Sequence, residues 1–428
     1  MVLKVLIVGG GVAGPSLAYW LSRLNTEVTL IERFPRIRAH GQQVDIRGQG
    51  VPMMKKMGLE AAVRAAAVHE PGMQLVDERG KPMAYFPATE TNSTEQNFSS
   101  EFEVMRGDLV ELLYNLTKNK KNVHHIFNTS IRSFTQDDHH KANGKVLVDF
   151  LDGRKEDFDL VVGADGSGSQ TRKIMLGPDA PDPRHSLNAH TGFFTIPSQP
   201  GDSKAWTLCH LPGRRVIGTR QDRPDLLRIY MIIHGQQPTL EEAYKSGSLA
   251  ELKKAWGGLY EDCGWKTDRF MRGLQHSPLA DDLYATRLDE IRLPKGDWSK
   301  GRVVLLGDAA HCQTVNGQGV TLGMVGAYIL AGEFATLAKR DASSLAEAVV
   351  QGAKNYEAKF RPMVCQTQGS SFGLGLFLPQ SKFGIGILHT LAGWAASLGY
   401  GQSGGVGMDK RVTWSVPEYP ELDEYREN

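Results

Sequence analysis

The near-continuous apolar run Leu3–Val8 passes directly into Gly9-Gly10-Gly11, and Gly14 completes a Gly-x-Gly-x-x-Gly triplet ahead of a helical pattern. An apolar run of this kind reads as a parallel strand covered on both faces. The first glycine permits a tight turn, the second lets backbone approach a ligand, and the third lets a helix pack close to the strand. The helix is expected from about Pro15 to Leu24, with Leu17, Trp20, Leu21 and Leu24 on one face. Pro15 suits its first turn, where a missing N–H costs nothing. Val28–Ile31 reads as the second strand of a βαβ unit, and Glu32 stands at its end. Free N–H groups at the helix start favour phosphate, and the carboxylate of Glu32 is placed where a ribose hydroxyl would lie. This unit predicts a dinucleotide site on Gly9, Gly11, Gly14 and Glu32.

Two later turns repeat the strand–glycine pattern. Asp159–Gly163 reads as a buried strand entering Gly163-Ala164-Asp165-Gly166, with Ser169 and Arg172 beyond. Arg302–Leu306 reads as another, entering Gly307-Asp308, with Gly317-Gln318-Gly319 before a long helix from about Thr321 to Leu337. A carboxylate at the C-terminal end of a strand can accept hydrogen bonds from a sugar alcohol, and glycines leave room for a flat ring. Arg106, at the start of a helix over Asp108–Lys118, could clamp a phosphate or ribityl oxygen. A polar, glycine-flanked segment, Gly41–Arg47, precedes a Met- and Ala-rich helix reaching Val68, in which Met53, Met54 and Met57 read as core. Residues 87–101 read as a surface loop, and Gly144–Asp152 as a hairpin strand closing on Asp152-Gly153.

From about residue 182 the pattern becomes β-rich. Thr191–Ile196, Ala205–Leu211, Arg215–Thr219 and Leu226–Ile233 predict an antiparallel sheet, followed by an amphipathic helix near Leu240–Trp256. Because the nucleotide-type strands return after this sheet, the fold class is α/β, a Rossmann-like domain interleaved with an antiparallel-sheet domain and followed by C-terminal helices. The expected boundaries are 1–75, 106–181 and 291–340 for the first domain, 76–105 and 182–290 for the second, and 341–428 for helices and tail. Residues 371–400 are expected to form a buried or pocket-capping helix pair rather than a membrane span. The acidic last residues are expected to be extended or disordered.

Composition excludes several classes. The 428 residues carry 49 Lys plus Arg against 48 Asp plus Glu, a balance that does not suit a phosphate-neutralising nucleic-acid binder. Cys209, Cys263, Cys312 and Cys365 stand too far apart for a zinc knuckle or a redox pair. The N-terminus has strand character and not that of a secretory signal. A reduced, cytoplasmic setting is therefore expected, in which the sequons at Asn92, Asn97, Asn115 and Asn128 are chance matches. The adjacent pairs His124-His125 and His139-His140 lack the spacing of helical metal ligands, so no metal is expected.

The three glycine–acid motifs, in this order and separation, resemble those of the class A flavoprotein monooxygenases, the para-hydroxybenzoate hydroxylase-like enzymes, over about residues 1–340. Val12-Ala13-Gly14-Pro15 with Ala18-Tyr19-Trp20-Leu21, Gly41–Gly48, Arg106–Val110 and Val325–Glu333 are similar to the tetracycline-inactivating subgroup. The resemblance implies FAD held by Gly9, Gly11, Gly14, Glu32, Arg33, Asp45, Arg106, Asp165, Asp308 and Gly319. It also implies NAD(P)H as co-substrate without a separate nicotinamide domain, and O2 activation as a C4a-hydroperoxyflavin. One oxygen would enter an aromatic or polyketide-like small molecule by hydroxylation, epoxidation or Baeyer–Villiger insertion.

The sheet would supply the substrate pocket, with Arg215, Arg220, Tyr230 and His234 as its polar groups and Arg47 facing them from the FAD side. Arg47, Arg215 and His234 are the substrate-orienting candidates, and Arg215 or Arg47 would orient a phenolate or enolate oxygen. One departure from the family stands in 311–319, which lacks the usual proline and is one residue shorter. It keeps open a flavin oxidase or oxidative cyclase, and a non-catalytic binding homologue. The residues do not fix the oligomeric state.

Overall fold

The computed structural model describes residues 2–37, 41–68, 70–88, 102–137, 144–313, 317–340, 345–368, 374–399 and 414–423. The expected loop beyond residue 88, the sequons Asn92 and Asn97, the pair His139-His140 and residues 314–316 lie outside these.

Leu3–Val8 forms a strand with the predicted limits, inside a six-stranded sheet. It pairs in parallel with Thr26–Glu32 on one side, Ile7 opposite Leu30, and with Leu160–Gly163 on the other, Val5 opposite Leu160. Val123–Phe127 and Val303–Leu305 extend the sheet, also in parallel. Val5, Leu6 and Ile7 are fully buried, as a strand covered on both faces requires. Because these strands run in one direction, the turns that follow residues 8, 163 and 306 emerge along one edge. The helix Ala13–Ser22 packs its Trp20 edge-on against Tyr328 of the long helix Gly319–Arg340. The Gly319–Lys339 part of that helix is apolar and long enough to cross a membrane, but 89% of its most apolar window is buried, so it is a core helix.

The second sheet has seven strands, in the order Tyr284–Ile291, Arg184–Pro197, Leu226–His234, Arg215–Arg223, Trp206–Leu211, Gly72–Val76 and Pro82–Pro87. The four predicted runs pair antiparallel, as expected, and one further strand, Gly72–Val76, pairs in parallel with Trp206–Leu211. Alternation marks a strand but not the direction of its neighbour. Three helices cover one face, Pro238–Ser246, Leu249–Tyr260 and Thr267–His276. The first two replace the single helix expected over Leu240–Trp256: Gly247 stands at φ +66°, and the Ser248 hydroxyl accepts the Glu251 N–H at 3.3 Å to start a new helix. The helix expected to reach Val68 likewise divides into Gly50–Lys56 and Glu60–Ala66 around Gly58, at φ +72°.

One C-terminal expectation is refined and one corrected. Residues 414–419 run without helix or strand into the short helix Pro420–Asp423 and are docked, while 424–428 lie outside the described residues: the Tyr419 ring covers Gly332, where an added Cβ would stand 2.3 Å from it, and its hydroxyl bonds Glu333 at 2.5 Å. The helix Lys382–Ser397 is not buried. Its small residues Ala392 and Ala396 sit on Met73, Leu75, Ala84 and Phe86 at the sheet edge, while its largest apolar side chains face outward.

Several histidines are held neutral by burial. His125 and His210 are pushed down to about 4 and His311 to about 3, while His190, His234 and His389 are lowered. The unfolded chain binds protons at these sites near 6.5, the folded chain at lower pH, furthest below for His125, His210 and His311. Stability therefore falls as pH drops from about 6.5 towards 4. Denaturant titrations at stepped pH should show the loss, and a flat stability profile over that interval would contradict it.

Candidate functional site

The cleft begins at the glycine turn. Gly9 has φ +116°, and a Cβ there would lie 2.4 Å from the Ala164 carbonyl oxygen; one on Gly14 would lie 2.0 Å from the Gly9 carbonyl oxygen. Strand, turn and helix thus meet at a distance only glycine permits. The Gly10 N–H donates to Glu32 Oε2 at 2.7 Å, and the Phe34 N–H to Oε1 at 3.1 Å, which fixes the carboxylate beside the turn. Arg106 begins the helix Arg106–Asn115, and its Nη2 stands 3.6 Å from where a Gly11 Cβ would be. Arg33 is exposed, its guanidinium over the Phe34 ring, so it stands at the rim.

Gly307, at φ +63°, brings the third turn against Ala13, and Gly319 stands with its Cβ position 4.0 Å from Asp308 Oδ1. Asp308 is accessible to solvent and yet walled by protein, so it faces a cleft inside the molecule. Desolvation there raises its carboxyl above the usual range, against the pull of Arg106 and the Cys312 thiol. These residues fit the phosphates and polyol of a dinucleotide: a cradle that any Cβ would fill, a helix start, an arginine and carboxylates.

Asp165 is engaged within its own turn. Its Oδ1 accepts the Ser169 hydroxyl at 2.5 Å, and its Oδ2 accepts the Thr171 N–H and hydroxyl at 3.0 Å each. The side chain therefore caps the helix Gln170–Leu176, and only its backbone adjoins Gly9. Arg172 donates to the carbonyls of Ala309, at 2.8 Å, and Ser167, at 2.5 Å, which ties the second turn to the third.

Opposite the glycine turns lies a buried polar cluster. Gln43–Asp45 pairs antiparallel with Glu103–Met105, with Asp45 facing Glu103. Arg220, from the second sheet, forks onto Glu70 at 2.6 and 2.7 Å, also bonds Glu103, and stacks on Trp206. Arg47 pairs with Asp45 at 2.9 Å, and its backbone N–H donates to Thr321 at 3.1 Å, near the start of the long helix. The Gln43 N–H donates to the Tyr230 hydroxyl at 3.4 Å. Among the described residues, the Gln43 amide, Asp45 Oδ1, Arg47 Nε and Trp206 Nε1 are buried without partners. Unpaired buried polar atoms are costly, and this group is what a bound ligand would satisfy.

Burial pushes the Glu103 carboxyl up to about 8, with the Asp45 and Glu70 carboxylates adding to the rise and Arg220 opposing it. Three carboxylates face two guanidiniums, so near neutrality the cluster keeps a proton. In the unfolded chain Glu103 ionises near 4.5, so its contribution to stability diminishes as pH rises towards 8. With the histidines acting on the acid side, stability should be greatest near pH 6.5, and Glu103→Gln should flatten the alkaline limb. An unchanged limb in that variant would contradict the assignment.

Two substrate-orienting candidates do not join this cluster. Arg215 shares a face of its strand with Ile217, which packs among the covering helices; its guanidinium donates to the carbonyls of Pro212 and Leu259. It points away from the cleft. His234 ends its strand paired with Arg214 at 3.2 Å, four residues past Tyr230 and roughly 13 Å along the strand. Arg47, Arg220 and Tyr230 are brought together. Glu70 and Glu103 were not anticipated, although Glu103 is a lone charge in the apolar run Phe102–Met105, which is itself a signal.

Fold and cleft together define a dinucleotide-binding protein with an interleaved second sheet. A family described as FAD binding domain matches residues 2–364, and the chain belongs to it. It is 43% identical over 399 residues to the flavin-dependent monooxygenase eupH of a Phoma species, covering 92% of each chain. It is 37% identical to the FAD-dependent monooxygenase asL4 of Sarocladium schorii, covering 98% of this chain and 99% of that one. The crystal structure of tetracycline destructase Tet(55) superimposes with a TM-score of 0.75 at 25% identity, over 97% of this chain and 98% of the other. The protein is an FAD-dependent monooxygenase.

Proposed function

We propose that this monooxygenase consumes NAD(P)H and inserts one atom of O2 into an aromatic or polyketide-like small molecule. The observation that carries the reading is the set of unpartnered buried groups on Gln43, Asp45, Arg47 and Trp206, between the glycine turns and the second sheet. FAD, when bound, supplies hydride acceptance and reaction with O2. Gly9, Gly11, Gly14 and Glu32 would hold its adenosine diphosphate end, Arg106 its phosphates or polyol, and Asp308 and Gly319 its ribityl chain.

The chain's own residues then do three things. Arg47 would donate to a phenolate or enolate oxygen and so orient the substrate. Gln43 and Asp45 bind the neighbouring polar substituents, which favours a substrate bearing adjacent hydroxyl and carbonyl groups. Glu103 holds a proton at neutral pH beside Asp45, and the Arg220–Glu70 pair keeps it in place. The second sheet walls the reacting groups from water.

The test is NAD(P)H oxidation by the FAD-loaded protein against phenols, polyketides and tetracyclines, with product masses. Substrate-stimulated oxidation with a gain of one oxygen supports the reading. Oxidation with hydrogen peroxide released and no oxygen gained would replace it with an oxidase. A protein that cannot be loaded with FAD would remove both.

A further inference from the structure

Phe383, Ile387, Leu391, Trp394 and Leu398 are exposed by 79, 47, 56, 65 and 76% on the outer face of the helix Lys382–Ser397. At 100° per residue all five fall within one narrow stripe. Together they expose roughly 600 Å² of apolar surface, at or beyond the largest patch usual on a monomer. The opposite face is already committed to the second sheet through Ala392, Ala396 and the buried His389, which meets His210 at 3.2 Å. The outer face is therefore the part of this helix that lacks a partner among the described residues.

We infer that this stripe is the two-fold interface of a homodimer, in which the helix packs antiparallel against its copy. Three observations select a second copy. The stripe is self-complementary: a two-fold axis near Thr390 and Leu391 sets Phe383 opposite Leu398 and Ile387 opposite Trp394 of the partner subunit. That places the indole against the shallow depression lined by Phe383, Gly386, Ile387, Thr390, Leu391 and the subunit's own Trp394, where Gly386 leaves open space. An isologous contact needs this matching of one patch to itself.

The area is also suitable, since about 600 Å² per subunit reaches the lower range of stable interfaces. Finally, the charge pattern does not suit a lipid surface. Membrane-surface helices flank their apolar face with Lys and Arg, whereas Phe383–Gly399 carries none, and Lys382 is engaged with Glu78 at 2.7 Å.

The test is sedimentation velocity of the full-length, FAD-loaded protein at micromolar concentration, with Leu391→Lys and Gly386→Met as variants. A Cβ on Gly386 meets nothing within 4 Å in the subunit, so Gly386→Met fills the depression without disturbing the fold. The wild type should be a dimer, and each variant should weaken it by roughly a hundredfold, with flavin content unchanged. A monomeric wild type would overturn the inference, whether or not it binds vesicles of anionic lipid. So would dimers that persist in both variants.

Discussion

Gly14→Ala should yield a chain that folds yet holds FAD roughly a hundredfold more weakly, a loss of about 3 kcal/mol. The new methyl would sit 2.0 Å from the Gly9 carbonyl oxygen. That turn cannot swing aside freely, because the Gly9 N–H is bonded to the Ile31 carbonyl at 2.8 Å and Gly9 itself abuts Ala164. Relief comes by moving the helix Ala13–Ser22 off the strand, which withdraws its N-terminal N–H groups from the phosphates. Gly168→Ala is the matched control, since its added Cβ meets nothing within 4 Å. Flavin titration of the apoproteins by fluorescence quenching should separate the two. Equal affinity in both would remove the first turn from the cofactor site.

The second large effect lies at Arg220. Its guanidinium is 8% exposed and its partners Glu70 and Glu103 are 3% and 5% exposed, so Arg220→Met leaves buried carboxylates without a counter-charge. Removing one partner of such a group costs about 3–5 kcal/mol. Urea unfolding at pH 7 should report a loss of that size. Adding Glu70→Gln to the same chain should recover part of it, because the double variant buries one carboxylate fewer. A single variant as stable as the wild type would show that the cluster is solvated rather than closed. Substrate turnover should fall with stability in Arg220→Met, since the 43–47 segment depends on the same charges for its position.

Legibility in the sequence followed locality. The strand Leu3–Val8, the turn and Glu32 were readable because periodicity, glycine spacing and one carboxylate act within thirty residues. The helix breaks at Gly58 and Gly247 were less so, since a glycine inside a helical pattern is often tolerated. The Glu70–Arg220–Glu103 group was not readable, because its members come from segments far apart in the chain and meet only when the sheets pack. Arg215 and Arg220 show a second limit. Both lie on the strand Arg215–Arg223, and only the burial of Ile217 against the covering helices tells which parity faces the cleft. Asp165 and Asp308 show a third: both end parallel strands, yet one caps a helix and the other stays open to the cleft. That difference is set by Ser169 and Thr171, whose donors reach Asp165 from the following turn.

The most direct measurement supplies FAD-loaded protein with NADPH, an accepted substrate and isotopically labelled O2. The product should carry one labelled oxygen and the solvent water the other. A product free of label, with the O2 recovered as hydrogen peroxide, would contradict the account.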